Sequence, residues 1–189
     1  MSIRALHYSQ PTEQIVARVE RWVESFVIGL NLCPFASSVL RRGQLNVIVA
    51  DSDDEEECLQ QLADEADALA TGDPQATTLL VLADGFGDFD DYLDFLAVGE
   101  ALLEDIDLDG QIQLASFHPH YQFDDSDYDD AENWTNRAPY PMVHLLTEES
   151  VGDAVDSHPD PESIPDANMD KLESMGTEVL ESLNRAIDS

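Results

Sequence analysis

The stretch "ATTLLVLAD", Ala76 to Asp84, is a continuous apolar run that ends at a turn, and it indicates the fold class most clearly. A run of this kind is typical of a β-strand in a sheet that is covered on both faces. Similar runs predict a strand before it, "QLNVIVAD" (44–51), and two after it, "QIQLASF" (111–117) and "MVHLLT" (142–147). The chain therefore carries four predicted strands.

Helical apolar spacing separates the first three of these strands, over residues 53–70 and 89–106. Strands that alternate with helices imply crossover connections and parallel neighbours. The sequence thus predicts an α/β fold, a single domain over 1–189 with a mixed, mainly parallel sheet of about four strands flanked by helices. The acidic "ADGFGDF" (83–89) between a strand and a helix predicts a turn with an N-capping aspartate rather than a phosphate-binding loop.

The outer segments add two more predicted helices and the connections around them. Apolar residues recur every three or four positions over 11–31, a helix that Pro34 should stop, and again over 169–187. Residues 1–10 are expected to form an N-terminal tail, and the Pro-rich 156–168 a linker to the last helix.

The composition is strongly acidic: 41 Asp and Glu against 8 Lys and Arg give a formal net charge of -33. Nucleic acid is not an expected partner, because neutralising phosphates requires clustered cations. The acids are spread along the chain rather than gathered in one block, which is typical of cytoplasmic proteins of salt-accumulating halophiles. We therefore expect the melting temperature to rise from low to molar KCl, where the Debye length falls to about 3 Å.

The start of the chain, "MSIRALHYSQ", lacks the apolar stretch of a signal peptide, and no apolar run reaches the roughly 18 residues that a membrane span needs. A cytoplasmic location is therefore expected. Cys33 and Cys58 form no CxxC motif, so reduced thiols are expected rather than a disulfide framework or a thiolate zinc site.

Three windows of this acidic chain contain no Asp or Glu: 25–50, 110–123 and 133–147. Buried helices and strands exclude carboxylates and explain much of them. They do not explain "HPHYQF" (118–123) or "NWTNRAPYP" (133–141), which are polar and broken by Pro. The sequence therefore predicts a polar pocket where the third strand ends, with a long functional loop, 118–141, as its wall or lid.

The stretches "WVESFVIGLNLCPFA" (22–36), "DFDDYLDFL" (88–96), "FHPHYQF" (117–123) and "NWTNRAPYPMVHLLTEESV" (133–151) resemble the bacterial domain of unknown function 1415 family. The resemblance runs through most of the chain. It implies a cytoplasmic bacterial protein and no particular reaction, because none is assigned to the family.

The resemblance marks a set of positions by motif, and His120 falls where the family pattern is loose. The marked residues are Asn31, Cys33, Pro34, Phe35, His118, Pro119, Tyr121, Gln122, Asn133, Thr135, Asn136, Arg137, Pro139, Tyr140, Pro141 and His144.

Arg137 is the candidate anion-binding residue, because its guanidinium fork suits a carboxylate or a phosphate. Asn133 and Asn136 would bind the same anion. The alternative is that Arg137 pins the loop through backbone groups or a nearby Asp. Candidate substrate-binding residues also include Asn31, Gln122 and Tyr140.

Histidines offer a candidate divalent metal site. His118 and His120 are two apart in an extended segment and would face one side, and His144 on a neighbouring strand could complete a three-histidine site. The alternative is that His118 bonds a backbone carbonyl and His144 is an ordinary residue of a half-buried strand.

Cys33 is the candidate nucleophile, with His118 or His144 as its base and Tyr121 as a further proton donor. Activation of the thiol requires a cation or a helix N-terminus nearby, so it depends on whether Pro34 ends one helix or begins another. An inert, buried cysteine is the alternative.

These readings lead to three hypotheses. The first is a cytoplasmic enzyme that acts on a small anionic metabolite, through either a thiol or a metal. The second is a non-catalytic module that binds a metabolite or regulates in response to it. The third is that the polar motifs only hold a long loop to the fold, since Asn, Thr and Arg side chains readily satisfy irregular backbone.

Overall fold

The computed structural model describes residues 10–187 and contains the four predicted strands. They are β1 (Leu45–Val49), β2 (Thr77–Val81), β3 (Ile112–Phe117) and β4 (Met142–Thr147). They form one sheet in the order β1-β2-β4-β3. The two central strands, β2 and β4, are the most deeply buried, which confirms what the run at 76–84 predicts.

The sheet is mixed but not mainly parallel, so that part of the prediction is wrong. β1 and β2 are parallel, whereas β4 is antiparallel to both β2 and β3. The cause is the connection from β3 to β4: the loop 118–141 contains no crossover helix, so the chain returns at the same end and β4 runs backwards between β2 and β3. In register, His144 on β4 lies opposite Leu79 of β2 and Ala115 of β3.

Helices cover both faces of the sheet. On one face lie α3 (Glu55–Thr71) and α4 (Phe89–Asp105), which pack with Leu80, Leu82 and Val143. Asp54 and Asp88 cap these helices by accepting backbone N–H groups, which confirms the predicted capping aspartate after the "ADGFG" turn. We call this side the α3–α4 face.

On the opposite face lie α1 (Thr12–Trp22), a π-helical segment (Val23–Ile28), α6 (Ile164–Met175) and α7 (Thr177–Ile187). The predicted helix over 11–31 thus changes from α to π at its middle. It ends before Asn31, whose φ of 51° is left-handed. Asn adopts this conformation more readily than most residues.

Pro34 begins a new element rather than only ending an old one. The short helix α2 (Ala36–Arg41) follows it, an element that the sequence indicated only as the alternative to a simple stop. Cys33 lies in the turn between the π-helical segment and α2, and its carbonyl accepts the Ala36 N–H at 3.4 Å.

The C-terminal region differs from its prediction in two ways. The helix over 169–187 is broken at Gly176, whose φ of 76° favours glycine. The segment 156–168, predicted as a linker, is partly helical: it contains the last residues of α5 (Glu148–Ser157), a 3-10 turn at Pro161–Ser163 and the first turn of α6.

Two further predictions concern the whole chain. The tail 1–10 lies outside the described residues except for Gln10, and a single domain over 1–189 stays a prediction. Across residues 10–187, none of the helices combines the length and the apolar character that crossing a bilayer requires.

Candidate functional site

The loop 118–141 is held by Asn133, whose side chain is completely buried. Its Oδ1 accepts the Phe123 backbone N–H at 2.9 Å and the Ser126 hydroxyl at 2.8 Å. Its Nδ2 donates to the carbonyls of Asp127 at 2.8 Å and Tyr128 at 3.3 Å. Both N–H donors and both acceptor positions of the Asn133 side chain are therefore used by bonds within the loop.

Arg137 is buried beside it and also bonds the loop. Its Nε donates to the Tyr121 carbonyl at 3.1 Å, and its Nη2 donates to the Tyr128 carbonyl at 2.5 Å. Its guanidinium lies 4.5 Å from the Tyr128 ring centre and 5.3 Å from that of Trp134. Burial lowers the pKa of Arg137. These contacts match the alternative in which Arg137 holds the loop through its backbone carbonyls. An anion-binding role for Arg137 stays a prediction.

His118 has a partner on each ring nitrogen. Nε2 donates to the Phe86 carbonyl at 3.0 Å, and Nδ1 accepts the His120 backbone N–H at 3.0 Å. The side chain is completely buried, and this burial lowers its pKa. Acid–base chemistry at His118 would therefore require one of these two bonds to break.

Most other polar side chains of the predicted site also hydrogen-bond to the protein. The contacts are Asn136 to the Ser116 carbonyl, Gln122 to the Ser126 carbonyl, Tyr121 to the Ser116 hydroxyl, Tyr140 to Gln10, and His120 to the Tyr128 hydroxyl. Asn31 is exposed, and its side chain makes no hydrogen bond with the part of the chain that the structure describes.

The three-histidine metal site is not assembled. Phe117 contacts His144 and Trp22 on one face of the sheet. The next residue, His118, packs on Phe89 and Tyr92 of α4 on the opposite face. Within residues 10–187, no three His, Cys, Asp or Glu side chains are grouped closely enough to hold a metal ion.

A cavity of about 470 Å³ lies against the sheet on the side away from α3 and α4. β-strand side chains form its floor, and the π-helical segment, α2 and α5 form its walls. We call it the α2–α5 cavity. Its apolar lining residues are Trp22, Val23, Val27, Phe35, Ala36, Val39, Leu45, Leu79, Phe117, Leu146, Val151, Ala154 and Val155.

The α2–α5 cavity brings together two predicted site residues, Cys33 and His144. The window 25–50, which lacks acids, supplies much of its wall, so the cavity accounts for that window better than a buried helix alone. The sequence did not point to Thr77 or Arg42, which also line it. Thr77 opens the apolar run on which the fold prediction rests, and a threonine in a strand is too common to signal a site.

His144 stands on the floor of the cavity. Its Nε2 lies 2.6 Å from the Thr77 hydroxyl, and that hydroxyl lies 2.7 Å from the Leu145 carbonyl. Burial lowers the pKa of His144 to about 4, so the imidazole is neutral near pH 7. The ring is therefore a neutral hydrogen-bonding group on a largely apolar surface.

The two cysteines lie in different surroundings. Cys33 is a free, partly exposed thiol on the cavity wall. Cys58 is buried on the α3–α4 face, and its burial, with Asp54 close by, raises its pKa to about 11. Cys33 is therefore the thiol that a reagent in the cavity would meet.

Comparison with known proteins gives one match. A family model described as "Protein of unknown function (DUF1415)" matches residues 14–182, which is most of the chain. No curated protein and no solved structure matches this chain.

Proposed function

The chain belongs to the DUF1415 family of proteins of unknown function, and we propose that it binds a small, largely apolar molecule in the α2–α5 cavity. One observation carries the proposal: a cavity of about 470 Å³ has a mostly apolar wall and a few polar groups, His144, Thr77 and Cys33 among them. This combination is typical of small-molecule sites. The second hypothesis drawn from the sequence, a non-catalytic binding or regulatory module, fits it best.

The polar loop supports the proposal by contrast. Asn133 and His118 have partners for their polar side-chain atoms, and Arg137 gives two donors to carbonyls. A ligand there would have to replace protein hydrogen bonds, each contributing about 1 kcal/mol. A ligand in the cavity would instead cover apolar surface at no such cost.

The charge of the wall favours a neutral ligand. Arg42 and Asp153 both line the cavity, so their charges offset each other, and His144 is neutral. The anionic ligand expected from the sequence stays a prediction, and Arg42 would be the cation to bind it.

N-phenyl-1-naphthylamine tests the proposal, because the fluorescence of this neutral probe rises in apolar sites. We expect a saturable rise with the wild-type protein in molar KCl. Ala154→Trp places an indole in the cavity and should abolish the rise. Ala97→Trp adds the same indole on the exposed side of α4 and should leave it intact. Equal binding by both variants would contradict the proposal.

An enzyme that uses Cys33 is the second candidate, and the observation that favours it is that Cys33 and His144 line the same cavity. The low pKa of His144 makes it a weak base, which disfavours a resting thiolate–imidazolium pair. We therefore place binding before catalysis.

Alkylation with iodoacetamide separates the two candidates, and Cys58 serves as the internal control because it is buried. An activated Cys33 would react faster than free cysteine at pH 7 and would slow when N-phenyl-1-naphthylamine is bound. If Cys33 reacts no faster than free cysteine, the thiol-enzyme hypothesis fails and the binding proposal is unaffected.

A further inference from the structure

The Thr77 hydroxyl fixes which nitrogen of His144 carries the proton. A hydroxyl has one proton to donate, and Thr77 Oγ1 lies 2.7 Å from the Leu145 carbonyl, which can only accept. The proton therefore points to Leu145. The 2.6 Å contact between Thr77 Oγ1 and His144 Nε2 then requires a proton on Nε2. The neutral ring is the Nε2–H tautomer, and its Nδ1 carries a lone pair.

Within residues 10–187, this lone pair has no hydrogen-bond partner. The Nδ1 atom is also not enclosed, since the enclosed polar atoms without a partner are on other residues. His144 lines the α2–α5 cavity and is half-buried. Nδ1 is therefore an acceptor open to the cavity.

We propose that the α2–α5 cavity selects ligands that donate a hydrogen bond: molecules with an apolar body and a neutral hydroxyl or N–H group that reaches His144 Nδ1. The inference rests on the proposed binding function. A carbonyl or ether oxygen at the same place would face the Nδ1 lone pair, and a plain hydrocarbon would leave it unpaired.

Thr77 is then a positioning residue for specificity, since it acts only through the His144 tautomer. If its hydroxyl is removed, nothing holds the proton on Nε2. The ring can then place a proton on Nδ1 and donate to a ligand oxygen instead. The expected signature of Thr77→Val is a change in which ligands bind rather than a uniform loss of binding.

Three probes of one shape test this inference: N-phenyl-1-naphthylamine, 1-phenoxynaphthalene and 1-benzylnaphthalene, which differ only in an NH, O or CH₂ bridge. With the wild-type protein in molar KCl, we expect the amine to bind about tenfold more tightly than the hydrocarbon, the size of one buried hydrogen bond. The ether should bind no better than the hydrocarbon.

Two variants make the test specific. His144→Phe keeps a ring but removes both nitrogens, so the three affinities should converge within about twofold. Thr77→Val should narrow the gap between amine and ether. Thr78→Val is the matched control, because Thr78 is the next residue and faces away from the cavity; it should keep the wild-type order.

The outcomes distinguish the inference from the proposed function. If none of the three probes binds, the proposed binding function fails. If all three bind equally, the cavity binds apolar molecules but the inference is wrong. A direct check does not depend on any variant: long-range ¹H–¹⁵N spectra of the wild-type protein should show a protonated Nε2 and a bare Nδ1 at His144, and the reverse would overturn the inference.

Discussion

The loop 118–141 and the α2–α5 cavity differ in how fully the protein itself uses the hydrogen-bonding groups of their polar side chains. Asn133 in the loop makes four side-chain hydrogen bonds. His144 in the cavity makes one with Thr77, and no other group in the described part of the chain hydrogen-bonds to its ring. Most polar residues of the predicted site lie in the loop and hydrogen-bond to it, whereas His144 in the cavity keeps an acceptor, Nδ1, that no described residue uses and that is not enclosed. Unused capacity is the better guide to a binding site.

We expect the greatest loss of stability when the buried hydrogen bonds of the loop 118–141 are removed. Asn133→Ala removes four hydrogen bonds from a buried site and should lower the free energy of unfolding by about 4 kcal/mol, measured by urea titration. Asn136→Ala, which removes one side-chain bond to the Ser116 carbonyl, should cost only about 1 kcal/mol. Equal, small losses in both variants would show that the loop does not depend on Asn133.

A smaller effect is expected from His144 on the cavity floor, through the pH dependence of folding stability. The unfolded chain protonates His144 at an ordinary pKa near 6.5, whereas the folded protein resists protonation down to a pKa of about 4. Folding stability is therefore lost as pH falls from about 6.5 to 4, and this residue contributes about 3 kcal/mol of that loss.

His144→Gln isolates this contribution, because it cannot titrate while the many carboxylates titrate in both proteins. Unfolding free energies of the two proteins in molar KCl at pH 7 and pH 4.5 should show a steeper loss for the wild type. Parallel losses would mean that folding does not lower the pKa of His144.

The smallest effects come from two adjacent threonines. Thr77→Val removes the acceptor of the His144 Nε2–H and should cost about 1 kcal/mol of stability. Thr78→Val removes a buried hydroxyl that has no hydrogen-bond partner among residues 10–187 and should stabilise the fold by up to about 1 kcal/mol. Thermal unfolding of the pair checks the sign. If Thr77→Val stabilises the fold instead, the Thr77 hydroxyl does not hold the proton on His144 Nε2.

Much of the fold follows from the sequence, because burial of both sheet faces leaves a visible record in runs such as "LLVLA". The four strands and the α3 and α4 helices are confirmed. The direction of β4 was not predictable from its own residues, since strand direction depends on the path of a loop that carries no periodic pattern. The break at Gly176 was missed because the apolar stripe continues on both sides of it.

The candidate site residues stay a prediction, and which of them have hydrogen-bonding groups to spare does not follow from the sequence, for a similar reason. Polar residue types show which hydrogen bonds a side chain can make, but not which of them the backbone already uses. The sequence named His118 and His144 alike; only the packing shows that Phe86 and His120 occupy the ring of His118. The cavity itself arises from residues far apart in the chain, from Trp22 to Ser157, so no local pattern marks it.

A chemical-shift map shows directly whether the α2–α5 cavity or the loop 118–141 is the ligand site. It is recorded in ¹H–¹⁵N and ¹H–¹³C spectra of the protein titrated with N-phenyl-1-naphthylamine in molar KCl. We expect the largest saturable shifts at Cys33, Thr77 and His144, with His118 and Arg137 unchanged. Shifts concentrated at His118, Asn133 and Arg137, with the cavity residues silent, would contradict binding in the cavity and return the site to the loop.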